Sequence, residues 1–444
     1  MLKTFRIGGV HPPENKLSAG QAIINAELPK QAVVMLSQHI GAPAQAVVAK
    51  GDKVKVGTLL AQAGGFVSAN IHSPVSGTVA KIDTAVDAAG YQRPAIFIDV
   101  EGDEWEESID RSETLVKECK LDAKAIIDRI KECGIVGLGG ATFPTHVKLL
   151  PPPGMKATIL IINGVECEPY LTSDHQLMME KGEEILVGTE ILRKAINVDR
   201  AVIGIENNKP DAIAHMQALA ANYPAIEICP LKVKYPQGGE KQLIDAVIRR
   251  QVPSGGLPIA TGAVVQNVGT AFAVYEAVQK NKPLVERIVT VTGKSLAKPS
   301  NLRVRIGTPI SQLIDMCGGL PQDTEKVISG GPMMGKAVVS TDMATTKGCS
   351  GVLLIRDLES RRKEMEPCIR CAKCVSACPM GLAPNVLAKA STYQNWECAE
   401  EEHVMDCIEC GSCSFTCPAH RPLLDFIRQG KAKVGAIIRS RNAK

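Results

Sequence analysis

Cys368-Ile369-Arg370-Cys371-Ala372-Lys373-Cys374-Val375-Ser376-Ala377-Cys378-Pro379 is one of two copies of a single pattern. Cys407-Ile408-Glu409-Cys410-Gly411-Ser412-Cys413-Ser414-Phe415-Thr416-Cys417-Pro418 is the other. Both read C-x2-C-x2-C-x3-C-P, the spacing of ferredoxins that hold two [4Fe–4S] clusters. Three thiolates on one tight loop reach three corners of a cubane. The fourth, just before proline, is carried off by the following segment and reaches the other cluster. The pattern therefore predicts Cys368, Cys371, Cys374 and Cys417 on one cluster, and Cys407, Cys410, Cys413 and Cys378 on the second. Zinc knuckles would show two separated C-x2-4-C pairs without the x3-C-P coda. A disulfide framework needs an oxidising compartment, and no other feature points to one. Two adjacent clusters make a one-electron wire, so the sequence is that of a protein that moves electrons.

The chain has 444 residues, enough for several domains, and a net charge of only +4, which argues against nucleic acid as a partner. The N-terminal stretch MLKTFRIGGVHPPENK has no apolar core and does not read as a signal peptide. No apolar run approaches the length that spans a bilayer. Basic residues gather at the C-terminus: Lys431, Lys433, Arg439, Arg441 and Lys444. They read as a solvated tail, with an anionic lipid or acidic partner as the alternative. The cysteines outside the motifs (119, 133, 167, 229, 317, 349 and 398) read as buried free thiols. His11, His39, His72 and His146 lack the spacing of paired metal ligands.

Working outward from the cysteine motifs, the chain divides into four regions of a multidomain α/β plus β protein. Residues 1–112 are expected to form a β-rich N-terminal region and linker, because short Val/Ala/Gly strands alternate with Gly/Pro/Asp turns. Residues 113–284 alternate strands (158–163, 201–206) with helices (121–133, 177–197, 211–222, 239–250), the signature of a mainly parallel, Rossmann-like α/β domain. Residues 285–355 return to short strands and one helix at 310–317, as in a small β-grasp module. Residues 356–444 form an α-helical two-cluster ferredoxin-like domain, with helices expected at 384–394 and 422–430.

The second informative stretch is Gly137-Leu138-Gly139-Gly140-Ala141-Thr142-Phe143-Pro144-Thr145-His146-Val147-Lys148. Clustered glycines let backbone approach a ligand and offer N–H groups to phosphate, and Lys148 adds a cation. The stretch is neither a G-x-G-x-x-G dinucleotide fingerprint nor a P-loop, and a plain structural turn explains it equally well by itself. Three further segments lie where a crevice at the carboxyl edge of a parallel sheet would fall. They are Asn163-Gly164-Val165-Glu166-Cys167-Glu168-Pro169, Gly238-Gly239-Glu240 and Val265-Gln266-Asn267-Val268-Gly269-Thr270.

Residues 48–79, with V-x-x-G-D-x-V-x-x-G and S-P-x-x-G-x-V, resemble biotinyl and lipoyl barrel-sandwich domains. The hairpin tip, Gly64–Asn70, lacks the lysine those carriers modify, which argues for a docking module. The four glycine-, glutamate- and asparagine-bearing segments resemble the NADH- and FMN-binding subunit of respiratory complex I. Leu138, Thr142, Val165 and Gln266 depart from that family's Arg, Gly, Asp and Asn. The whole order, with I-G-G-V-H-P-P-E-N-K at 7–16 and both cysteine motifs, resembles the family of C subunits of Rnf (Rsx) ion-translocating electron-transport complexes.

That resemblance implies FMN over Gly137, Gly139 and Gly140, with its phosphate near Lys148, Asn267 and Thr270. Its ring would lie near Asn163 and Glu166, within a pocket bounded by Gly239, Glu240 and Gln266. NAD(H) would stack on the flavin, with Glu168 nearby and Phe143 at the adenine end. Glu166 and Glu168 are the implied catalytic pair. Cys167, beside them, is either a redox-active thiol or simply a small residue in a tight turn. The implied activity is electron transfer between NADH and ferredoxin through FMN and the two [4Fe–4S] clusters. The implied setting is the cytoplasmic face of the membrane, as a peripheral subunit beside the membrane and peripheral subunits of the complex. Two alternatives are a flavin iron–sulfur NADH dehydrogenase subunit of a soluble hydrogenase or formate dehydrogenase, and a ferredoxin-like relay that has lost its flavin.

Overall fold

A computed structural model describes residues 2–442; Lys444, read above as part of a basic tail, lies outside them. In the N-terminal region, Gln31–Met35, Gln92–Gly102, Ser76–Val86 and Lys53–Val54 form one antiparallel sheet. Gln45–Ala46, Leu59–Gln62 and Ile71–His72 form a second. Val34, Leu60, Ile71, Val79, Ile96 and Ile98 close the core between them. At the hairpin tip between Leu59–Gln62 and Ile71–His72, Phe66 stands 72% exposed.

The first 25 residues, read from sequence as part of the barrel region, run elsewhere. Lys3 bridges Leu231 and Val10 bridges Tyr235 on the α/β domain. Ile23–Asn25 then pairs in parallel with Ser300–Arg305 and becomes the edge of a six-stranded sheet. That sheet also holds Glu286–Gly293, Gly351–Arg356, Thr324–Ser329 and Lys336–Ala337, with the helix Ile310–Met316 packed on it.

The α/β domain has a four-stranded parallel sheet in the order Ile226–Leu231, Ala201–Glu206, Ile159–Asn163, Ala263–Asn267. Its strands are buried on both faces, so they read as continuous apolar runs. The helix expected over 177–197 is instead two, Ser173–Glu180 and Gly182–Ala195, divided at Lys181. The break lies where Gly182 meets Leu219, closer than a side chain allows. In the cysteine domain, the helix expected at 422–430 runs from Leu423 to Asn442. Ile427 and Val434 bury against Leu387 and Val404, which extends it. Lys431, Lys433, Arg439 and Arg441 thus stand on a packed helix and are not a loose tail.

Candidate flavin and iron–sulfur site

The crevice is built at the carboxyl ends of Ile159–Asn163 and Ala263–Asn267. Gly137 N–H donates to Phe143 O at 2.8 Å and closes the glycine loop. Leu138 N–H donates to Thr270 Oγ1 at 2.9 Å, tying the loop to the start of the helix Val268–Lys280. Gly139 lies so close to Asn267 that a Cβ would sit 2.7 Å from its amide nitrogen, whereas a Cβ on Gly140 would meet open space. The loop therefore has one wall against protein and one face free for a ligand.

The side chains expected around a phosphate are together but already engaged. Asn267 Oδ1 accepts from Gly269 N–H at 2.8 Å, capping its helix, and its amide donates to Asp174 at 2.7 Å. Lys148 Nζ donates to Glu240 Oε1 at 2.5 Å and to Val265 O at 2.7 Å. Asn163 donates to Gly238 O at 2.8 Å, and Gly239 precedes the helix Glu240–Ile248. Buried Gln266 has an amide nitrogen with no hydrogen-bond partner among the described residues. An orphaned donor there costs about 1–3 kcal/mol unless a ligand accepts from it. With the free face of Gly140, it makes the crevice fit a flavin.

The two glutamates differ sharply. The Glu166 carboxylate accepts from Ser173 Oγ at 3.3 Å, Asp174 N–H at 2.8 Å and His175 N–H at 3.1 Å, capping the helix Ser173–Glu180. Negative charge at that helix end is stabilised by the aligned peptide dipoles. Glu168 instead accepts from Met333 N–H at 3.1 Å and Met334 N–H at 2.9 Å, and stands 3.4 Å from the Tyr235 hydroxyl. Burial pushes its carboxyl up to about 7, although the two amides and Tyr235 oppose this. Asp174 is also raised, by burial and then by Glu166 beside it. Cys167 accepts from Gly238 N–H at 3.3 Å, and burial holds its thiol well above the ordinary value, so it is a neutral wall residue.

Several residues at this site have no local sequence signal. Lys16 Nζ donates to three carbonyls, Glu166 O at 2.9 Å, Glu168 O at 2.9 Å and Leu171 O at 2.7 Å, and so shapes the loop that carries both glutamates. Arg287 donates to Leu138 O at 3.0 Å. Tyr235 donates to Cys410 O at 2.8 Å, which links the glutamate loop to a cluster ligand. The motif at 7–16 was the one available hint of Lys16.

The structure brings together the four cysteines expected on one cluster, and of the other four it links Cys374 with Cys417. Cys378, Cys407, Cys410 and Cys413 line one cavity, walled by Leu387 and Leu424. Burial raises the Cys407 thiol to about 11 and Cys413 to about 12, and the neighbouring sulfurs, Cys378 among them, add to the rise. Thiols raised in this way become thiolates against the positive charge of iron. Cys374 feels Cys417 across the other motif. Cys368 and Cys371 are exposed. No three His, Cys, Asp or Glu side chains among the described residues converge as a single metal ion would need. A cubane takes one thiolate per corner and spaces them farther apart, so the residues fit clusters and not a lone ion. Val10, Tyr235, Ala377 and Cys410 form one apolar cluster, with Cys167, Met333 and Ile408 against it. The cavity of Cys378, Cys407, Cys410 and Cys413 therefore borders the crevice, and the other set faces outward.

A crevice of this kind joined to a two-cluster domain defines a flavin- and iron–sulfur-binding oxidoreductase subunit. The Nuo51 FMN-binding domain matches residues 130–276 and a 4Fe-4S dicluster domain matches 361–418. The SLBB domain matches 288–337 and the RnfC barrel sandwich hybrid domain matches 3–103. The chain is 45% identical, over 98% of its length and 94% of the relative's, to the C subunit of the proton-translocating ferredoxin:NAD(+) oxidoreductase complex of Clostridium ljungdahlii. It is 42% identical, over 99% of both chains, to the C subunit of the Na(+)-translocating ferredoxin:NAD(+) oxidoreductase complex of Acetobacterium woodii. It is 39% identical, over 98% of its length and 84% of the relative's, to the C subunit of the ion-translocating oxidoreductase complex of Rhodobacter capsulatus. The chain belongs to this RnfC family, the C subunits of Rnf complexes.

Proposed function

We propose that this protein oxidises NADH, or reduces NAD, as the peripheral subunit of a membrane-bound, ion-translocating ferredoxin:NAD oxidoreductase. Its partners are then the membrane and peripheral subunits of that complex and a ferredoxin or ferredoxin-like subunit. No helix among the described residues is long and apolar enough to cross a membrane. A membrane complex thus holds this chain from the side, and the cytoplasmic face is where NADH is available. The finer architecture fits the reading. The parallel sheet is Rossmann-like, the sheet around Glu286–Gly293 is of β-grasp type, and the working units are 1–112, less its first 25 residues, which pack on the other units, then 113–284, 285–355 and 356–444. The full-length likeness favours this reading over a hydrogenase or formate dehydrogenase subunit and over a flavin-free relay.

FMN supplies the exchange between a hydride's two electrons and the single electrons a cluster takes. The protein's own residues hold that exchange in place. Gly137, Gly139 and Gly140 give the flavin backbone to lie on, with Gln266 offering a free amide. Lys148 and Glu240 neutralise each other at the rim beside Gly239. Asn267 and Thr270 fix the loop to its helix. Glu166, anchored on a helix end, and Glu168, buried against Met333 and Met334, would hold the nicotinamide side of a bound NADH, and Phe143 would border its outer end. Tyr235 then joins Glu168 to Cys410 by hydrogen bonds, and this single observation carries the reading, because it connects the crevice to a cluster ligand. Gln242 supports the same junction by donating to Pro379 O at 3.2 Å.

The test is an anaerobic titration of the FMN- and cluster-loaded protein with NADH. The expected result is bleaching of flavin and cluster absorbance, with two electrons entering per NADH. Loaded protein that NADH leaves unchanged would overturn the reading.

A further inference from the structure

The two cysteine loops share a pattern and differ in what faces the sulfurs. In the inner loop Ser412 stands just before Cys413; the same place in the outer loop, just before Cys374, holds Lys373. Ser412 is fully buried, and its Oγ lies 3.3 Å from Cys410 Sγ. That hydroxyl has no other hydrogen-bond partner among the described residues. Lys373 is exposed and brings no hydroxyl to the outer sulfurs. The outer loop's own polar neighbour is exposed Asn385, 4.0 Å from Cys374 Sγ, and its counterpart in the inner half is apolar Leu424. Cys410 is also the ligand whose carbonyl accepts from Tyr235, so it is the inner ligand tied to the glutamate loop.

The direction of the Ser412 bond follows from the chemistry of its partner. A free thiol and a hydroxyl can each donate, but a thiolate on iron has no proton to give. The Ser412 proton is then the only one between the two atoms, and a buried hydroxyl turned away from Sγ would go unsatisfied. Burial holds the Cys410 thiol up, and Ser412 already opposes that rise. Reduction adds one negative charge to a cluster. In the cavity of Cys378, Cys407, Cys410 and Cys413, walled by Leu387 and Leu424, that charge is poorly solvated. A donor aimed at a ligand sulfur stabilises the more negative, reduced state and so raises the potential. Around the exposed outer sulfurs water serves the same purpose, and a single side chain weighs less there.

We propose that Ser412 sets the potential of the inner cluster: its hydroxyl donates to Cys410 Sγ and holds that cluster at a higher midpoint than its burial alone would give. The residue acts through Cys410 and touches no substrate. The cluster gains or loses one electron, while Ser412 keeps its proton throughout. The inference deepens the proposed function and rests on its cluster assignment, not on its NADH step.

The experiment is an anaerobic, EPR-monitored redox titration of the FMN- and cluster-loaded protein, with the outer signal identified by its loss in Cys417→Ser. Ser412→Ala should lower the inner midpoint by about 59 mV, a roughly tenfold loss in its one-electron reduction equilibrium, and leave the outer midpoint in place. Ser412→Thr keeps the hydroxyl and should stay near the wild-type value. Ser412→Gly, a second variant without the hydroxyl, carries the same expectation as alanine and takes its place if the alanine protein loses iron from the inner site. With limiting reductant, the ratio of inner to outer reduced signal should fall by the same factor. An inner midpoint unchanged or raised in the hydroxyl-free variants, or lowered as far by Ser412→Thr, would overturn the proposal. The expected shifts in a protein that dithionite reduces and NADH does not would uphold the role of Ser412 and sink the NADH reading.

Discussion

Glu168→Gln isolates the charge at the junction of crevice and cluster. The Glu168 carboxyl ordinarily titrates near 4.5, and burial holds it at about 7. A shift of that size corresponds to up to about 3.5 kcal/mol of penalty on the ionised form, at about 1.4 kcal/mol per pKa unit. The folded state therefore binds this proton more tightly than the unfolded chain. The favourable contribution is complete below about pH 4.5 and is lost as the pH rises through 7. Glutamine carries no charge, so it escapes that loss. It also loses one bond, because its NH2 faces either Met333 N–H or Met334 N–H, donor against donor, at a cost of about 1 kcal/mol. By pH 5.5 the wild type has already lost about 1.4 kcal/mol, so the variant should be less stable than wild type only near pH 4.5 and below, and more stable at pH 8; those are the two pH values to compare. The same charge has a second effect. When Glu168 is protonated its O–H can donate to Tyr235 Oη, leaving the tyrosine proton on Cys410 O; when it is ionised, that one proton has two claimants. The NADH-driven reduction rate should accordingly show an inflection near pH 7 that Glu168→Gln lacks. The assays are anaerobic thermal unfolding of loaded wild type and variant at the two pH values, and stopped-flow reduction by NADH from pH 5.5 to 8.5. A stability difference of one sign and size at both pH values, with superimposable rate profiles, would refute the reasoning.

Lys16→Met removes an ammonium that satisfies three carbonyls, so it should destabilise by about 3 kcal/mol or more and weaken FMN retention, read by melting and flavin fluorescence. Gly8→Ala places a Cβ at φ +68° against the Cys378 carbonyl; iron analysis should find the inner cluster depleted first, and full retention of both clusters would contradict the described contact. Cys417→Ser should abolish the outer cluster's EPR signal while NADH still reduces the inner one, and Cys378→Ser should abolish the inner signal and cut NADH off from the outer cluster, which dithionite still reduces. If Cys417→Ser removes the inner signal instead, the crossed ligand sets are wrong. Lys347, buried between Asn70 O and Gly134 O with its ammonium pushed down to about 7 by burial, pins the N-terminal barrel to the α/β domain. Because the fold lowers this pKa, the wild type gains stability as the pH rises above 7, so Lys347→Met should lower the melting point more at pH 8.5 than at pH 6.

What was legible in the sequence was local. Ligand spacing needs only a dozen residues, so the motif predicts both cysteine sets, and the structure places Cys378 with Cys407, Cys410 and Cys413. Apolar runs and helical periodicity located Ile159–Asn163, Ala201–Glu206 and Glu240–Ile248 because burial on a sheet or helix face imposes its own period. The glycine loop, Asn163, Gln266 and Asn267 could be placed in one crevice because strand ends of a parallel sheet converge there. The tertiary structure alone decided how those residues are spent. Glu166 and Glu168 are two positions apart in an identical-looking acidic loop, yet one caps a helix and the other is buried against Met333 and Met334, contributed by a different module. Lys148 has its charge taken by Glu240, 92 residues away in sequence. Lys16 and Tyr235 owe their places to contacts with Glu166 and Cys410 that no periodicity or motif encodes. Spacing along the chain fixes which ligands can share a cluster; only long-range packing fixes which cluster meets the flavin and which is left to meet a partner.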